Sequence, residues 1–128
     1  MTDTPRKTVA LNLVRLGVAA LLGIHGYFRA LGDHVDGFGS FLTAKGFPAG
    51  LVLAWAITIF EMGGSLLLAA GRHVRIVAAG FIVILSMGIV LVHGSEGWWV
   101  VGAGRGGAEY SVLLITCLLA LIAGSPRR

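Results

Sequence analysis

Charged residues are scarce in this chain. Aspartate, glutamate, lysine and arginine make up 12% of its 128 residues, against about 25% in an average soluble domain. Hydrophobic residues make up 56%, and they come in long blocks. The stretches between the blocks are too short to build a hydrophobic core of their own. We therefore predict a single integral-membrane domain that covers residues 1–128.

Proline and cysteine are also rare, and both shortages carry information. With 3 prolines, the apolar blocks are almost free of residues that end a helix. The one cysteine, Cys117, cannot form an intramolecular disulfide, and it leaves no CxxC motif for zinc or thiol redox chemistry. The net charge of +4 does not indicate a nucleic-acid partner, because the 10 basic residues are dispersed over tails and short loops.

Four apolar segments approach the length that crosses a bilayer, for which about 20 helical residues are needed. Between the first two, Phe38, Phe41, Leu42 and Phe47 make the loop too apolar for a free linker, which predicts a short amphipathic helix on the outer surface. We predict an all-α fold, a transmembrane four-helix bundle. The predicted spans are residues 9–31, 51–71, 74–94 and 108–123, the last of which is short.

The basic residues around the spans predict an orientation. Six lie on the side of the two tails and of the turn between the second and third spans, against three on the other side. Cytoplasmic segments of membrane proteins carry the excess of lysine and arginine, so we predict that both termini are cytoplasmic. The six are Arg6, Lys7, Arg72, Arg75, Arg127 and Arg128, and the three are Arg29, Lys45 and Arg105.

Glu61 lies in the middle of an apolar span, where a charge is costly. Ionisable residues in this setting usually face the bundle interior and pair with one another. Counting about 1.5 Å per residue from the inner helix ends brings the long Arg15 side chain towards Glu61, which predicts a buried Arg15–Glu61 pair. Such a pair could serve packing alone, or Glu61 could accept a proton or contact a ligand. A protonated, lipid-facing Glu61 is the third interpretation.

A second group of polar residues lies at the outer ends of three spans. His25 is in the first span, His93 ends the third, and Glu109 and Tyr110 begin the fourth. Two histidines, a carboxylate and a phenol at one level of the bilayer predict a pocket in the outer leaflet.

Several ligands could use this group of residues. Two histidines could hold haem, and two histidines with a carboxylate could hold a metal, but the sequence fixes no suitable spacing for either and carries no credible flavin or iron–sulfur site. A quinone fits best, because its carbonyls need hydrogen-bond donors and its protons need acceptors. Any amphipathic small molecule would use the same groups.

The same residues carry a resemblance to a known family. The motifs "RLGVAALLGIHG", "KGFP", "EMGGSLLLAAGRHVR", "MGIVLVHG" and "GGAEYSVLLI" follow one another between Arg15 and Gly124. In order and spacing they resemble the DoxX family of small four-helix membrane proteins. The chain departs from that pattern at Arg29, where lysine is frequent, and at Ala108, where an aromatic residue is common. The resemblance implies an inner-membrane protein associated with redox partners, such as the quinone-reducing subunit of thiosulfate oxidation.

These observations lead to one functional hypothesis and two alternatives. The first is a membrane subunit of a redox system that binds quinone and works with a partner oxidoreductase, because the chain lacks the equipment to catalyse alone. The second is a non-enzymatic scaffold or anchor for a partner protein, since small residues in its helices permit close packing with another membrane chain. The third is a carrier of a small hydrophobic molecule. A homo-oligomer is also open.

Overall fold

The computed structural model describes residues 3–102 and 106–125. In these ranges it is all helical and contains no strand, as predicted. Arg105, Arg127 and Arg128, which the predicted orientation used, lie outside the described residues. The helices are α1 (Asp3–Leu31), α2 (Val35–Ala44), α3 (Gly50–Ala70), α4 (Val74–Gly88), which continues as a π-helical turn (Ile89–His93), and α5 (Glu109–Gly124).

Within the described residues, three helical segments are long and apolar enough to cross a membrane, namely Thr4–Leu31, Gly50–Ala70 and Val74–His93. Their bounds agree with the predicted spans except that α1 begins at Asp3 instead of residue 9. The fourth segment, α5, is helical and apolar but has only 16 residues. At 1.5 Å per residue it is about 24 Å long, so it is shorter than the hydrocarbon core of about 30 Å.

The helix expected in the first long loop is present as α2. Its buried residues are Val35, Gly39 and Leu42, and Val35 and Leu42 pack with Ala54 of α3. Gly39 lets the two helices approach closely, because a Cβ placed there would lie 2.9 Å from the Cα of Leu51. The prediction of an amphipathic helix is therefore confirmed, while its place at a membrane surface stays a prediction.

Four helices form the bundle in a closed ring, in which α1 packs on α3, α3 on α4, α4 on α5 and α5 on α1. The core between them is apolar, and Cys117 packs against it from a half-buried position. The outward faces carry large exposed apolar side chains such as Leu13, Ile59 and Val90, which suits contact with lipid. The buried core residues are Val18, Ala19, Leu22, Leu68, Val74, Val77, Ala78, Phe81, Leu114, Leu118 and Leu121.

Two glycines of α1 set its register against α3. A Cβ at Gly23 would lie 2.7 Å from the Ser65 hydroxyl oxygen, and one at Gly26 would lie 2.9 Å from the Cβ of Glu61. Real Cβ atoms do not approach other atoms this closely, so the backbones can meet here only because both positions are glycine. This contact decides which polar residues of the two antiparallel helices come together.

Candidate functional site

A cavity of about 460 Å³ opens near the end of the bundle that carries α2 and the loop after the π-helical turn, which we call the loop end. All five helices contribute to its walls. Most of the lining is apolar, including Phe38, Phe47, Phe81, Leu91 and Leu114. The polar lining consists of His25, Arg29, Glu61, His93, Tyr110 and Ser111. Of the four predicted pocket residues, His25, His93 and Tyr110 therefore share one cavity.

Glu61 and Arg29 form the charged pair of this cavity. The Nη1 atom of Arg29 donates to Glu61 Oε2 at 2.8 Å and to Thr58 Oγ1 at 3.1 Å. Both side chains are largely withdrawn from solvent, with 18% of Arg29 and 9% of Glu61 exposed. The guanidinium also lies over the ring of Phe38 at 4.4 Å from its centroid, a cation–π contact. Arg29 thereby joins α1, α2 and α3 at the cavity wall.

The predicted pair between Arg15 and Glu61 is wrong. Arg15 donates through Nη1 to the carbonyl oxygens of Leu68 and Ala69, at 3.0 and 3.1 Å. These carbonyls belong to the last turn of α3, where the helix dipole favours a cation. Leu68 is seven residues beyond Glu61, or about 10 Å along the axis. In the register set by Gly26, it is Arg29, one turn further along α1, that faces Glu61.

A hydrogen bond to the carbonyl oxygen of Gly106 orients His93, the last residue of the π-helical turn. Its ring nitrogen Nδ1 lies 2.7 Å from the carbonyl oxygen of Gly106. Because a carbonyl only accepts hydrogen bonds, Nδ1 must carry the proton, which leaves Nε2 as an acceptor when the ring is neutral. The Cδ2 atom, next to Nε2 in the ring, is the edge that faces Gly88, another residue of the cavity wall. Short π-helical insertions are frequent at functional sites.

His25 and Tyr110 line the cavity more loosely. His25 keeps an exposed side chain, and Tyr110 is half-buried. Neither side chain forms a hydrogen bond with another described residue, so both are available to a molecule in the cavity.

Glu109 does not line the cavity, contrary to the prediction. Its Oε1 atom accepts hydrogen bonds from the backbone N–H groups of Val100 and Val101, at 2.7 and 2.6 Å. Its own backbone N–H donates to the carbonyl oxygen of Trp98 at 3.0 Å. The carboxylate at the start of α5 therefore holds the preceding loop against the helix, because one of its oxygens accepts from two adjacent backbone amides.

The family model for DoxX matches residues 10–94, about two thirds of the chain. The chain belongs to the DoxX family. No significant match was found among curated proteins or among solved structures.

The DoxX match covers α1 to the π-helical turn, and so includes His25, Arg29, Glu61 and His93. Tyr110 and the rest of α5 lie beyond it. The loop-end cavity is therefore lined both by polar residues of the matched region and by residues of α5, which lies beyond that region.

Sequence reasoning missed Arg29 as the partner of Glu61 and counted it only among the basic residues of the outer side. The signal lay in the spacing of α1, because Arg29 follows Gly26 by three residues and therefore stands one turn away on the same helix face. Thr58, which is fully buried, was missed as well. It precedes Glu61 by three residues on α3, and its hydroxyl donates to the carbonyl oxygen of Ala54 at 2.7 Å.

Replacing Glu109 with alanine is expected to destabilise the loop before α5 while leaving the residues that line the loop-end cavity unchanged. Removing a charged acceptor of two amides should cost about 1.5 kcal/mol of local stability, which corresponds to roughly tenfold faster exchange of the Val100 and Val101 amide protons. Hydrogen exchange in detergent micelles measures this directly. Glu96→Ala is the control, since the exposed Glu96 side chain forms no hydrogen bond with the described residues. Unchanged protection in Glu109→Ala would contradict the assigned role.

Proposed function

We propose that this DoxX-family protein is a membrane subunit of a redox system and holds a quinone headgroup in the loop-end cavity. The observation that carries the proposal is the meeting of Arg29, Glu61, His93 and Tyr110 in one apolar-walled cavity. Its volume of about 460 Å³ falls within the range of about 300–1,000 Å³ that small-molecule sites occupy. A flat ring with two carbonyls suits aromatic and aliphatic walls that carry a few polar groups.

The polar groups divide into donors and acceptors. Arg29 uses Nη1 on Glu61 and Thr58, so its remaining N–H groups can donate to a carbonyl oxygen, as can the Tyr110 hydroxyl. His93 offers Nε2 as an acceptor because Gly106 occupies its Nδ1–H. A quinone would supply the capacity to carry two electrons and two protons. In this arrangement Arg29 and Tyr110 would orient the oxidised headgroup, and His93 and the exposed His25 would each take up or return one of the two hydroxyl protons.

The proposal includes a partner and an orientation. A soluble or membrane-bound oxidoreductase would exchange the electrons, since the sequence carries no credible redox centre of its own. We propose the inner membrane as the location, with both termini cytoplasmic. In support, α1 begins and α5 ends at the same end of the bundle, where Arg6, Lys7, Arg72 and Arg75 are also found, in keeping with the positive-inside rule.

Quinone binding is expected to depend on Tyr110 and on the free volume of the cavity. The probe is ubiquinone-1, titrated into detergent-purified protein and followed by native mass spectrometry. Tyr110→Phe, which removes one hydroxyl, should weaken binding by about fivefold. Gly88→Leu should abolish it, because a side chain at Gly88 extends into the cavity. Tyr27→Phe is the matched control, since Tyr27 does not line the cavity, and it should bind like the wild type.

Two outcomes would contradict the proposal. One is a wild-type protein that retains no ubiquinone-1, and the other is unchanged binding in both Tyr110→Phe and Gly88→Leu. Protein released gently from its own membrane separates the alternatives in the same instrument. A bound apolar molecule other than quinone would favour the carrier, and a partner protein with no small molecule would favour the scaffold.

A further inference from the structure

A second cavity, of about 420 Å³, lies at the opposite end of the bundle from the loop-end cavity. We call this the basic end; α1 begins, α3 ends, α4 begins and α5 ends there. The cavity walls are much more polar than those of the loop-end cavity. Its polar lining consists of Thr8, Asn12, Arg15, His73 and Ser125.

The charges at the basic end are all of one sign among the described side chains. Arg6, Lys7, Arg15, Arg72 and Arg75 lie there, whereas Asp33, Asp36, Glu96 and Glu109 lie towards the loop end. Glu61, near the middle of α3, is paired with Arg29. Asp3 is the one acidic residue of the sequence near this end. It precedes Arg15 by twelve residues, which is about 18 Å along α1.

Arg15 is fixed in place but keeps its charge. Its guanidinium bonds to the carbonyls of Leu68 and Ala69 and, through Nη2, to the Oδ1 atom of Asn12 at 3.2 Å. These partners are dipoles and do not neutralise a cation. Three of the five N–H donors of the guanidinium are used, so two remain. Because Asn12 accepts through Oδ1, its amide N–H₂ group is also free to donate.

Arg75 repeats this arrangement on another wall. Its Nε and Nη2 atoms donate to the carbonyl oxygen of Ser125, at 3.1 and 3.0 Å, and Ser125 lines the cavity. A second guanidinium without a carboxylate partner among the described residues therefore stands beside the cavity. Held by helix ends, both arginines are pre-organised, so a ligand would lose little side-chain entropy on binding them.

We propose that the basic-end cavity binds a phosphate group, with Arg15 as the central cation and Asn12 as a neighbouring donor. Phosphate oxygens accept several charge-assisted hydrogen bonds at once, and arginine matches their geometry. Two sources share this chemistry, the headgroup of an acidic phospholipid and a free phosphate ester. This phosphate site is separate from the loop-end cavity, and the proposal for it does not depend on quinone binding there.

The test measures the thermal stabilisation of the detergent-purified full chain by added probes. The probes are phosphatidylglycerol, phosphatidylcholine and glycerol 1-phosphate. Phosphatidylglycerol should raise the Tm of the wild type more than phosphatidylcholine, and Arg15→Gln should weaken its apparent affinity by about tenfold. Lys7→Gln, which removes an equal charge outside the cavity lining, is the matched control and should change the affinity little. Arg15→Lys keeps the cation but not the planar guanidinium, so its affinity should lie between those of the wild type and Arg15→Gln.

The outcomes separate the sources and can overturn the proposal. Stabilisation by phosphatidylglycerol alone identifies a lipid headgroup, and stabilisation by glycerol 1-phosphate as well identifies a site for free phosphate esters. Equal effects of phosphatidylglycerol and phosphatidylcholine would overturn the proposal, as would equal losses in Arg15→Gln and Lys7→Gln. If Arg15→Gln proves too unstable to assay, Asn12→Ala replaces it and should weaken the affinity by about threefold.

Discussion

Replacing Arg29 with alanine is expected to destabilise the protein by about 3 kcal/mol or more, since removing one partner of a buried ion pair leaves an uncompensated charge. The Glu61 side chain is 9% exposed, and its one ion pair among the described residues is with Arg29. The substitution also removes the donor to Thr58 and the cation over Phe38. The measurement is the free energy of unfolding in mixed micelles.

A double-mutant cycle distinguishes the energy of the Arg29–Glu61 ion pair from the energy lost with the rest of the Arg29 side chain. Arg29→Ala combined with Glu61→Gln should recover a large part of the loss, because no buried carboxylate then stands alone. Lys45→Ala is the control, since Lys45 also lies over an aromatic ring, 5.6 Å from the centroid of Phe41, but forms no ion pair among the described residues. Additive losses in the double variant would show that Arg29 and Glu61 do not stabilise one another.

Replacing Gly26 with alanine is expected to be the next most damaging change, at about 1–3 kcal/mol. The added Cβ would lie 2.9 Å from the Cβ of Glu61 and 3.2 Å from the backbone nitrogen of Met62. A backbone atom cannot move aside as the end of a side chain can, so α1 and α3 must separate. The separation should also lengthen the contact between Arg29 and Glu61 and weaken ligand binding in the cavity.

Gly17→Ala provides the matched control for this prediction. It lies on the same helix, and a Cβ there would meet nothing within 4 Å. Because alanine favours a helix over glycine by up to about 1 kcal/mol, Gly17→Ala should be neutral or stabilising. Both variants are compared by thermal unfolding and by ubiquinone-1 binding. A Gly26→Ala protein as stable as Gly17→Ala would show that the close helix contact is not required.

The helices were predictable because each depends on a local property of the chain. Long apolar runs with few prolines predicted the segments, and aromatic residues in the first long loop predicted α2. The end of α3 also follows local rules. Gly71 adopts φ +73°, and the N–H groups of Gly71 and Arg72 return to the carbonyls of Leu68 and Leu67, which is a Schellman motif.

The candidate site was predictable only in part. Residue depth along the spans predicted that His25, His93 and Tyr110 share a level, and the structure places them around one cavity. Depth alone failed for Glu61 and Glu109, because it does not say which helix faces turn towards each other or how a loop folds back. Glu109 accepts hydrogen bonds from two loop amides, and the path of the loop determines where those amides lie.

The sequence by itself determined that this protein is helical and apolar on its outside, since composition and the lengths of apolar runs are enough for these two conclusions. Its relation to the DoxX family follows from the match of the family model to residues 10–94. The tertiary structure alone decided that Arg29 pairs with Glu61, that Arg15 binds the end of α3, and that Glu109 holds a loop. For the two arginines, the physical reason is the register of α1 on α3. This register is fixed at Gly23 and Gly26, where the absence of a Cβ lets the two helices pack closely. Counting residues within one helix does not reveal which residues of the other helix it will contact.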